Sequence, residues 1–313
     1  MPNYPKDMKI LITGGGGFVG RHLVDSFLKQ NHTVTIFDNL SNSVITNLSN
    51  LTKDGALLIK GDVTDYKSIL KYTKNVDFVI HLAAKINVNE SVLLPQITHE
   101  VNVTGTLNLL RACVANSVRN IIAASSAAVY GNSIKFPLSE NSQNVPISPY
   151  GASKLAIEHY LQAFSSSYSI NSISLRFFNI YGRGQSLEYA GVIEKFMDRI
   201  RKNKSLVIYG DGKNTRDFIS IDDITSAVNL TMKKITGKKG NVYNIATGKS
   251  VSIKELARIM LSISGKKLAI TYKNPKQGDI KHSQASIKLA KQDLGYSSKI
   301  SLRQGLENLM NSD

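Results

Sequence analysis

The sequence predicts an α/β fold: a Rossmann-like, doubly wound parallel sheet with a smaller C-terminal substrate-binding lobe. Three observations predict it. Short β-branched runs alternate with segments of helical periodicity. The runs are apolar almost throughout, as in strands covered on both faces by helices. A glycine cluster follows the first run directly and opens a helix, the place where such folds hold an anionic ligand.

Strands are expected at 9–13, 33–37, 56–59, 76–80, 120–123, 172–176 and 242–245, because each is a short run rich in Val, Ile, Leu or Phe. Helices are expected at about 18–30, 98–115, 150–167, 191–202, 222–234 and 252–263, where apolar residues recur every three or four positions. No repeat or low-complexity tract interrupts the series. A chain of 313 residues, 42% hydrophobic, suits one large domain with an added lobe. The larger domain is expected over 8–178 with about 217–247, and the lobe over about 179–216 with 248–313.

Composition narrows the class. The apolar run near the N-terminus is only Ile10-Leu11-Ile12, and nothing reaches membrane-spanning length, which predicts a cytoplasmic protein with no membrane partner. The one cysteine, Cys113, sits in an apolar stretch and reads as a buried small hydrophobe, with no disulfide framework. The net charge is +16, and residues 195–313 hold 23 Lys/Arg against 10 Asp/Glu. A basic C-terminal part suits a phosphate-rich ligand, a solvated lysine face or a nucleic-acid patch.

In Thr13-Gly14-Gly15-Gly16-Gly17-Phe18-Val19-Gly20, glycine at 14 permits a tight turn. Gly17 lets backbone N–H groups approach a pyrophosphate, and Gly20 allows close packing of helix on strand. Asp38 ends the second strand, where a carboxylate can accept hydrogen bonds from both hydroxyls of an adenosine ribose and would repel a 2′-phosphate. No Lys or Arg follows it before Lys53, so NAD is expected rather than NADP. Asp62, after the third strand, is placed to reach an adenine amino group or simply to shape its turn.

Tyr150 and Lys154 stand four apart at a helix start and share one face. A phenol titrating near pH 10 is a weak base at neutrality; a neighbouring ammonium and a cationic nicotinamide would lower its pKa. Tyr150 is then the expected general acid and base, and Ser126, closing the fifth strand, the hydroxyl that passes it a proton.

Together these motifs resemble the extended short-chain dehydrogenase/reductases, in particular the NAD-dependent epimerase/dehydratase family. The resemblance spans about residues 8–310. It includes His81-Leu82-Ala83-Ala84, Val101-Asn102-Val103-Thr104-Gly105-Thr106, Arg176-Phe177-Phe178-Asn179-Ile180-Tyr181-Gly182, Tyr209-Gly210-Asp211-Gly212, Thr215-Arg216-Asp217-Phe218, Asp222-Asp223 and Gln277-Gly278-Asp279-Ile280. It implies that Ala83 and Ala84 line the cofactor, beside Phe18, Val19, Asn39, Val63, Leu82 and Phe177, and that Lys154 holds the nicotinamide ribose. It assigns Asn179 to a sugar diphosphate and Arg216 to phosphate charge, with Lys85 and Lys281 facing the substrate. His81 is expected to be structural, and no metal site is expected. The smaller lobe would bind the nucleotide sugar, and a homodimer would pair through the helices at about 98–115 and 150–167.

The resemblance also orients the reaction. Relatives that dehydrate or decarboxylate the sugar carry acidic residues just after the serine, where this chain has Ala127 and Ala128. The expected activity is therefore 4-epimerisation of a UDP-hexose through a 4-keto sugar; dehydration or decarboxylation of a nucleotide sugar is the alternative within the family, and non-catalytic nucleic-acid binding the alternative outside it. Ser283 is the small residue expected to border the sugar C2 substituent and to admit an N-acetyl group. Lys281 stands where many relatives have arginine, which forfeits a bidentate grip on the nucleotide.

Overall fold

The computed structural model describes residues 7–43, 48–185, 191–275 and 280–311. Gln277, Gly278 and Asp279 of the last quoted motif lie outside the described residues.

Contacts gather the chain into two units. The first comprises residues up to Gly131, Asn144–Arg176 and Thr225–Tyr243; the second comprises Asn132–Gln143, Phe177–Ile224 and the chain from Asn244 onward. The stretch 132–143 clusters with the second unit because Leu138 exchanges backbone hydrogen bonds there, donating to Gln284 at 2.8 Å and accepting from Ser286 at 2.7 Å.

The central sheet has seven strands: β1 (Lys9–Thr13), β2 (Thr33–Asp38), β3 (Leu57–Lys60), β4 (Phe78–His81), β5 (Asn120–Ser126), β6 (Asn171–Phe177) and β7 (Lys239–Ile245). Their spatial order is β3-β2-β1-β4-β5-β6-β7. β1 pairs in parallel with both β2 and β4, Thr13 lying level with Phe37 on one side and His81 on the other. The chain winds outward in opposite directions from this centre, so the switch point falls between β1 and β4, beyond their carboxyl ends. All seven expected strands are present, each within a few residues of its expected bounds.

β1, β4 and β6 are buried almost throughout, as expected of strands covered on both sides. Leu11 of β1, Val79 of β4 and Ile121 of β5 pack with Leu109, Leu110 and Cys113 of the helix Gly105–Ala115 and Ile157 and Leu161 of the helix Pro149–Tyr168. Cys113 is fully buried and its thiol is pushed far up by desolvation, as befits a packing residue.

The helix expected at 98–115 differs in detail. An α-helical turn, Pro95–His99, runs into a π-helical turn, Glu100–Thr104, before the regular helix begins at Gly105. A π turn inserts one residue into the repeat and reorients the side chains on it. Here it carries the fully buried Asn102, whose contacts are described below. Gly105 follows because a Cβ there would lie 2.6 Å from Val63 Cγ2.

Among the described residues, the second unit holds three two-stranded sheets. Asn179–Tyr181 pairs in parallel with Phe218–Ser220, Leu206–Tyr209 in parallel with Ile270–Lys273, and Thr215–Arg216 antiparallel with Val251–Ser252. Phe196, Leu206, Leu256, Met260 and Leu306 make its apolar core, drawn from the helices Val192–Arg201, Ile253–Ser264 and Leu302–Met310 and the strand at 206–209.

Candidate active site

The loop after β1 is built for close approach. Gly14 adopts φ +69°, and a Cβ on it would meet the backbone N of Ala83 at 2.6 Å. Gly20 has the same need for bareness, since its Cβ would lie 2.6 Å from Gly14 O and Gly15 Cα. Gly17 is the N-cap of the helix Phe18–Leu28, and no side chain caps it. The first-turn N–H groups therefore face no side-chain acceptor of their own, as anion binding at a helix start requires. Phe18 and Val19 occupy that first turn half-buried.

Asp38 is buried at the end of β2. Its Oδ2 accepts the backbone N–H of Gly16 at 2.9 Å and its Oδ1 that of Leu40 at 2.8 Å. A carboxylate offers about four lone-pair positions, so hydroxyls can be added to these two bonds. Gly16 had no role in the sequence reading; it too must be bare, with Ser43 Oγ 2.7 Å from a would-be Cβ. Exposed Asn39 donates from Nδ2 to Asp62 Oδ2 at 2.8 Å, and Asp62 Oδ1 closes a turn with Thr64 N at 2.9 Å. Burial works upward on Asp62, but the bonds from Asn39 and Thr64 and the charge of Lys85 leave it below the ordinary carboxylate value. Val63 is buried against Gly105, and Phe177 is buried at the end of β6.

These features suit a dinucleotide: a bare turn at the switch point, an uncapped helix start and a carboxylate fixed beside it.

Leu82 continues from β4 with its N–H on Thr13 O at 2.9 Å, and Ala83 and Ala84 follow half-buried. Lys85 next to them is held by Asn102, whose Oδ1 accepts Lys85 N at 2.7 Å and whose Nδ2 donates to Lys85 O at 3.0 Å and to Ser153 Oγ at 2.9 Å. Asn102 thus ties the loop after β4 to the start of the helix Pro149–Tyr168. The Lys85 ammonium lies 3.7 Å from Glu90. His81 is buried between Thr13 Oγ1 at 2.7 Å and Thr106 Oγ1 at 2.9 Å. Desolvation, and then the charge of Lys154, push its pKa to about 3, so it stays neutral and structural. Among the described residues, no three His, Cys, Asp or Glu side chains gather to hold a metal.

Ser126 ends β5 and caps the short 3₁₀ turn Ala127–Tyr130, accepting Ala128 N at 3.2 Å. Its hydroxyl favours the ionised form of the Tyr150 phenol. Tyr150 is at the start of the helix Pro149–Tyr168, which opens on the Ser148 cap and Pro149. Lys154, one turn on, points its buried Nζ at Ala124 O, 2.9 Å away, and 5.9 Å from the Tyr150 ring centre. Burial raises the phenol above its ordinary value, with the Ser126 hydroxyl pulling the other way. Lys154 falls to about 8, desolvation outweighing the attraction of Glu158. The lowering of Tyr150 anticipated from its lysine is therefore absent from the protein alone: the phenolate loses more by desolvation than a lysine turned toward a carbonyl returns.

In the second unit, Asn179 begins a strand and donates from Nδ2 to Asp217 O at 3.0 Å. Arg216 donates from Nη1 to Thr215 O at 2.9 Å and Ile280 O at 2.6 Å. Lys281 is exposed, its carbonyl accepting Thr215 N at 2.9 Å, and Ser283 is buried. Asp217, between Arg216 and Phe218, accepts Thr247 N at 2.9 Å, Gly248 N at 2.9 Å and Ala285 N at 3.3 Å. That buried carboxylate organises the segments carrying Arg216 and Ser283, and the sequence reading gave it no role.

Comparison with known proteins is consistent in family and in fold. The family model described as "NAD dependent epimerase/dehydratase family" matches residues 10–246. Among solved structures, the UDP-N-acetylglucosamine 4-epimerase of Methanobrevibacter ruminantium, in complex with UDP-N-acetylmuramic acid, superposes with a TM-score of 0.92 at 36% identity, covering 98% of each chain. The UDP-glucose 4-epimerase of Thermotoga maritima with UDP-glucose gives 0.92 at 33% identity and 97% of each chain. That of Thermus thermophilus with NAD gives 0.88 at 30% identity, covering 97% of this chain and 98% of the other.

Proposed function

This chain belongs to the NAD-dependent epimerase/dehydratase family, and on that premise we propose that it interconverts UDP-hexoses epimeric at C4. The observation that carries the proposal is the buried Tyr150 phenol, drawn toward its ionised form by the Ser126 hydroxyl and one helical turn from the buried Lys154, in a site where Ala127 and Ala128 follow the serine. Those alanines offer no acid to expel a hydroxyl, so a reaction that conserves the sugar's atoms is favoured over dehydration or decarboxylation. NAD is the cofactor, held by the Gly14–Gly20 loop and Asp38 as the bare turn and buried carboxylate suggest. When bound, it would supply a reversible acceptor for the hydride of the sugar C4. Tyr150 Oη takes the proton of the C4 hydroxyl and gives it back to the other epimer. Ser126 Oγ orients that hydroxyl and stabilises the phenolate, and Lys154 keeps a positive charge beside both.

Asn179, Arg216 and Lys281 are proposed to carry the diphosphate. Lys85, set beside Ala84 and paired with Glu90, is proposed to reach the substrate as a flexible cation. Ser283 is proposed to leave room for an N-acetyl group, so that UDP-N-acetylglucosamine and UDP-N-acetylgalactosamine are accepted alongside UDP-glucose and UDP-galactose.

The chain is proposed to work in the reducing cytoplasm, which its single buried thiol suits. Among the described residues, no helix is long and apolar enough to cross a membrane. A homodimer is proposed through the helices at about 98–115 and 150–167. Supporting it, Ile97 is exposed there beside a cavity of about 380 Å³ lined by Pro95, His99, Val103, Pro149, Ala152 and Ala156; light scattering on purified protein would read the mass.

Incubating the protein with each of the four UDP-sugars, without added cofactor, and separating the epimers by chromatography tests the whole reading. Interconversion is expected. A product lighter by one water, or no turnover in protein saturated with NAD, would overturn it.

A further inference from the structure

One buried ion pair stands next to the proposed proton relay without belonging to it. Glu158 lies one turn beyond Lys154 on the helix Pro149–Tyr168, so the two side chains share a face. Its Oε2 meets Arg176 Nη2 at 2.7 Å and its Oε1 accepts Arg176 Nε at 2.8 Å, a two-pronged contact with both side chains 3–4% exposed. Oε1 also takes a short hydrogen bond from Ser125 Oγ. The Arg176 guanidinium in turn lies over the Tyr130 ring, 4.7 Å from its centre.

The neighbours of this pair matter more than the pair itself. Ser125 sits between Ala124, whose carbonyl holds Lys154 Nζ, and Ser126. The carboxylate therefore grips the same strand end that presents Ser126 and anchors Lys154. A buried ion pair adds little net stability over apolar residues of equal size, so its presence at this point calls for a reason other than holding the fold. From the remaining elements, the titratable groups nearby are His81 on β4, neutral at working pH, Arg176 on β6, Tyr130 in the 3₁₀ turn and Tyr150 itself.

We propose that Glu158 is a positioning residue for the relay: it keeps the Lys154 ammonium charged and in place, and fixes the strand end that carries Ser126. Burial alone drives Lys154 toward its neutral form, and the Glu158 carboxylate is the group that opposes this. Arg176 holds both oxygens of the Glu158 carboxylate and keeps it turned inward. The proposal rests on the epimerase reading for its activity readout, although not for its spectroscopic one.

The test is Glu158→Gln, followed by two measurements in the NAD-loaded protein: the pH profile of kcat and the pH titration of the Lys154 ¹³Cε resonance, identified by its loss in Lys154→Arg. An anion within one turn raises an ammonium's pKa, so its removal should move both the alkaline limb of kcat and the ¹³Cε midpoint to lower pH by about one pH unit. If Arg176 without its carboxylate prevents folding, the double variant Glu158→Gln/Arg176→Gln removes both buried charges and is expected to show a smaller displacement in the same direction. Folded protein in which both the limb and the ¹³Cε midpoint stay where they are in the unaltered enzyme would overturn the proposal. If instead the unaltered enzyme converts no UDP-sugar, the epimerase reading fails, and the ¹³Cε midpoint alone decides the role of Glu158.

Discussion

Asp38 Oδ2 accepts the backbone N–H of Gly16 at 2.9 Å, so the carboxylate proposed to select the cofactor also braces the loop that would cradle its phosphates. The two functions are coupled through one side chain. Asp38→Ala should therefore weaken NAD binding by more than the lost ribose bonds, by about 2–4 kcal/mol given the usual strength of bonds to a charged acceptor. Calorimetric titration of stripped protein with NAD would measure it, and unchanged affinity would remove Asp38 from the site.

Burial pushes the Tyr150 phenol up while the Ser126 hydroxyl pulls it down. Without the serine hydroxyl the phenol rises further, and the acid limb of the kcat profile should move to higher pH in Ser126→Ala. Tyr150→Phe should lower kcat at least about 100-fold while leaving NAD content unchanged, as expected for loss of a general acid-base group. A phenylalanine variant that interconverts sugars at the unaltered rate would end the relay hypothesis.

Ser283 is buried, so a larger residue there has little room to turn away. Ser283→Tyr should abolish turnover of the N-acetylated sugars and spare that of UDP-glucose and UDP-galactose. Some loss of stability is expected from overpacking, about 1–3 kcal/mol. Equal losses on both sugar pairs would mean that Ser283 does not border C2.

Glu194, in the first turn of the helix Val192–Arg201, is lifted to about 7 by burial, against the pull of backbone N–H groups including that of Gly182. A carboxyl whose folded pKa is raised stabilises the fold fully below the ordinary carboxylate range, and that contribution is lost as pH climbs through about 7. Glu194→Gln keeps the neutral form at every pH. Its thermal midpoint should match the unaltered protein near pH 5 and exceed it at pH 8.5, by a stability difference on the order of 1–3 kcal/mol. Identical midpoints across that range would show that the carboxyl ionises without cost.

The first unit was readable because its signals are local. Apolar runs of four to seven residues mark β1–β7 and helical spacing marks the longer helices, though not the short ones Ser49–Lys53, Tyr66–Tyr72 and Val88–Leu93; Gly14, Asp38, Ser126, Tyr150 and Lys154 each sit at an element's end that the pattern locates. The partners of those residues were not readable. Asn102 reaches Lys85 and Ser153, and Glu158 reaches Ser125 and Arg176, across separations that only the fold closes. The π turn at Glu100–Thr104 escaped because one inserted residue barely disturbs a helical repeat. In the second unit, strands of two to four residues are too short to show any period.

The place of β7 next to β6 bears on how the protein is made. β6 is complete at Phe177, yet the strand that covers its outer side is not synthesised until Lys239–Ile245. A nascent or truncated polypeptide ending before that point would expose the backbone groups of an apolar strand as an open template for other chains. Protease nicking within the loop 234–238, or premature termination upstream of it, should accordingly yield aggregates instead of a smaller soluble enzyme.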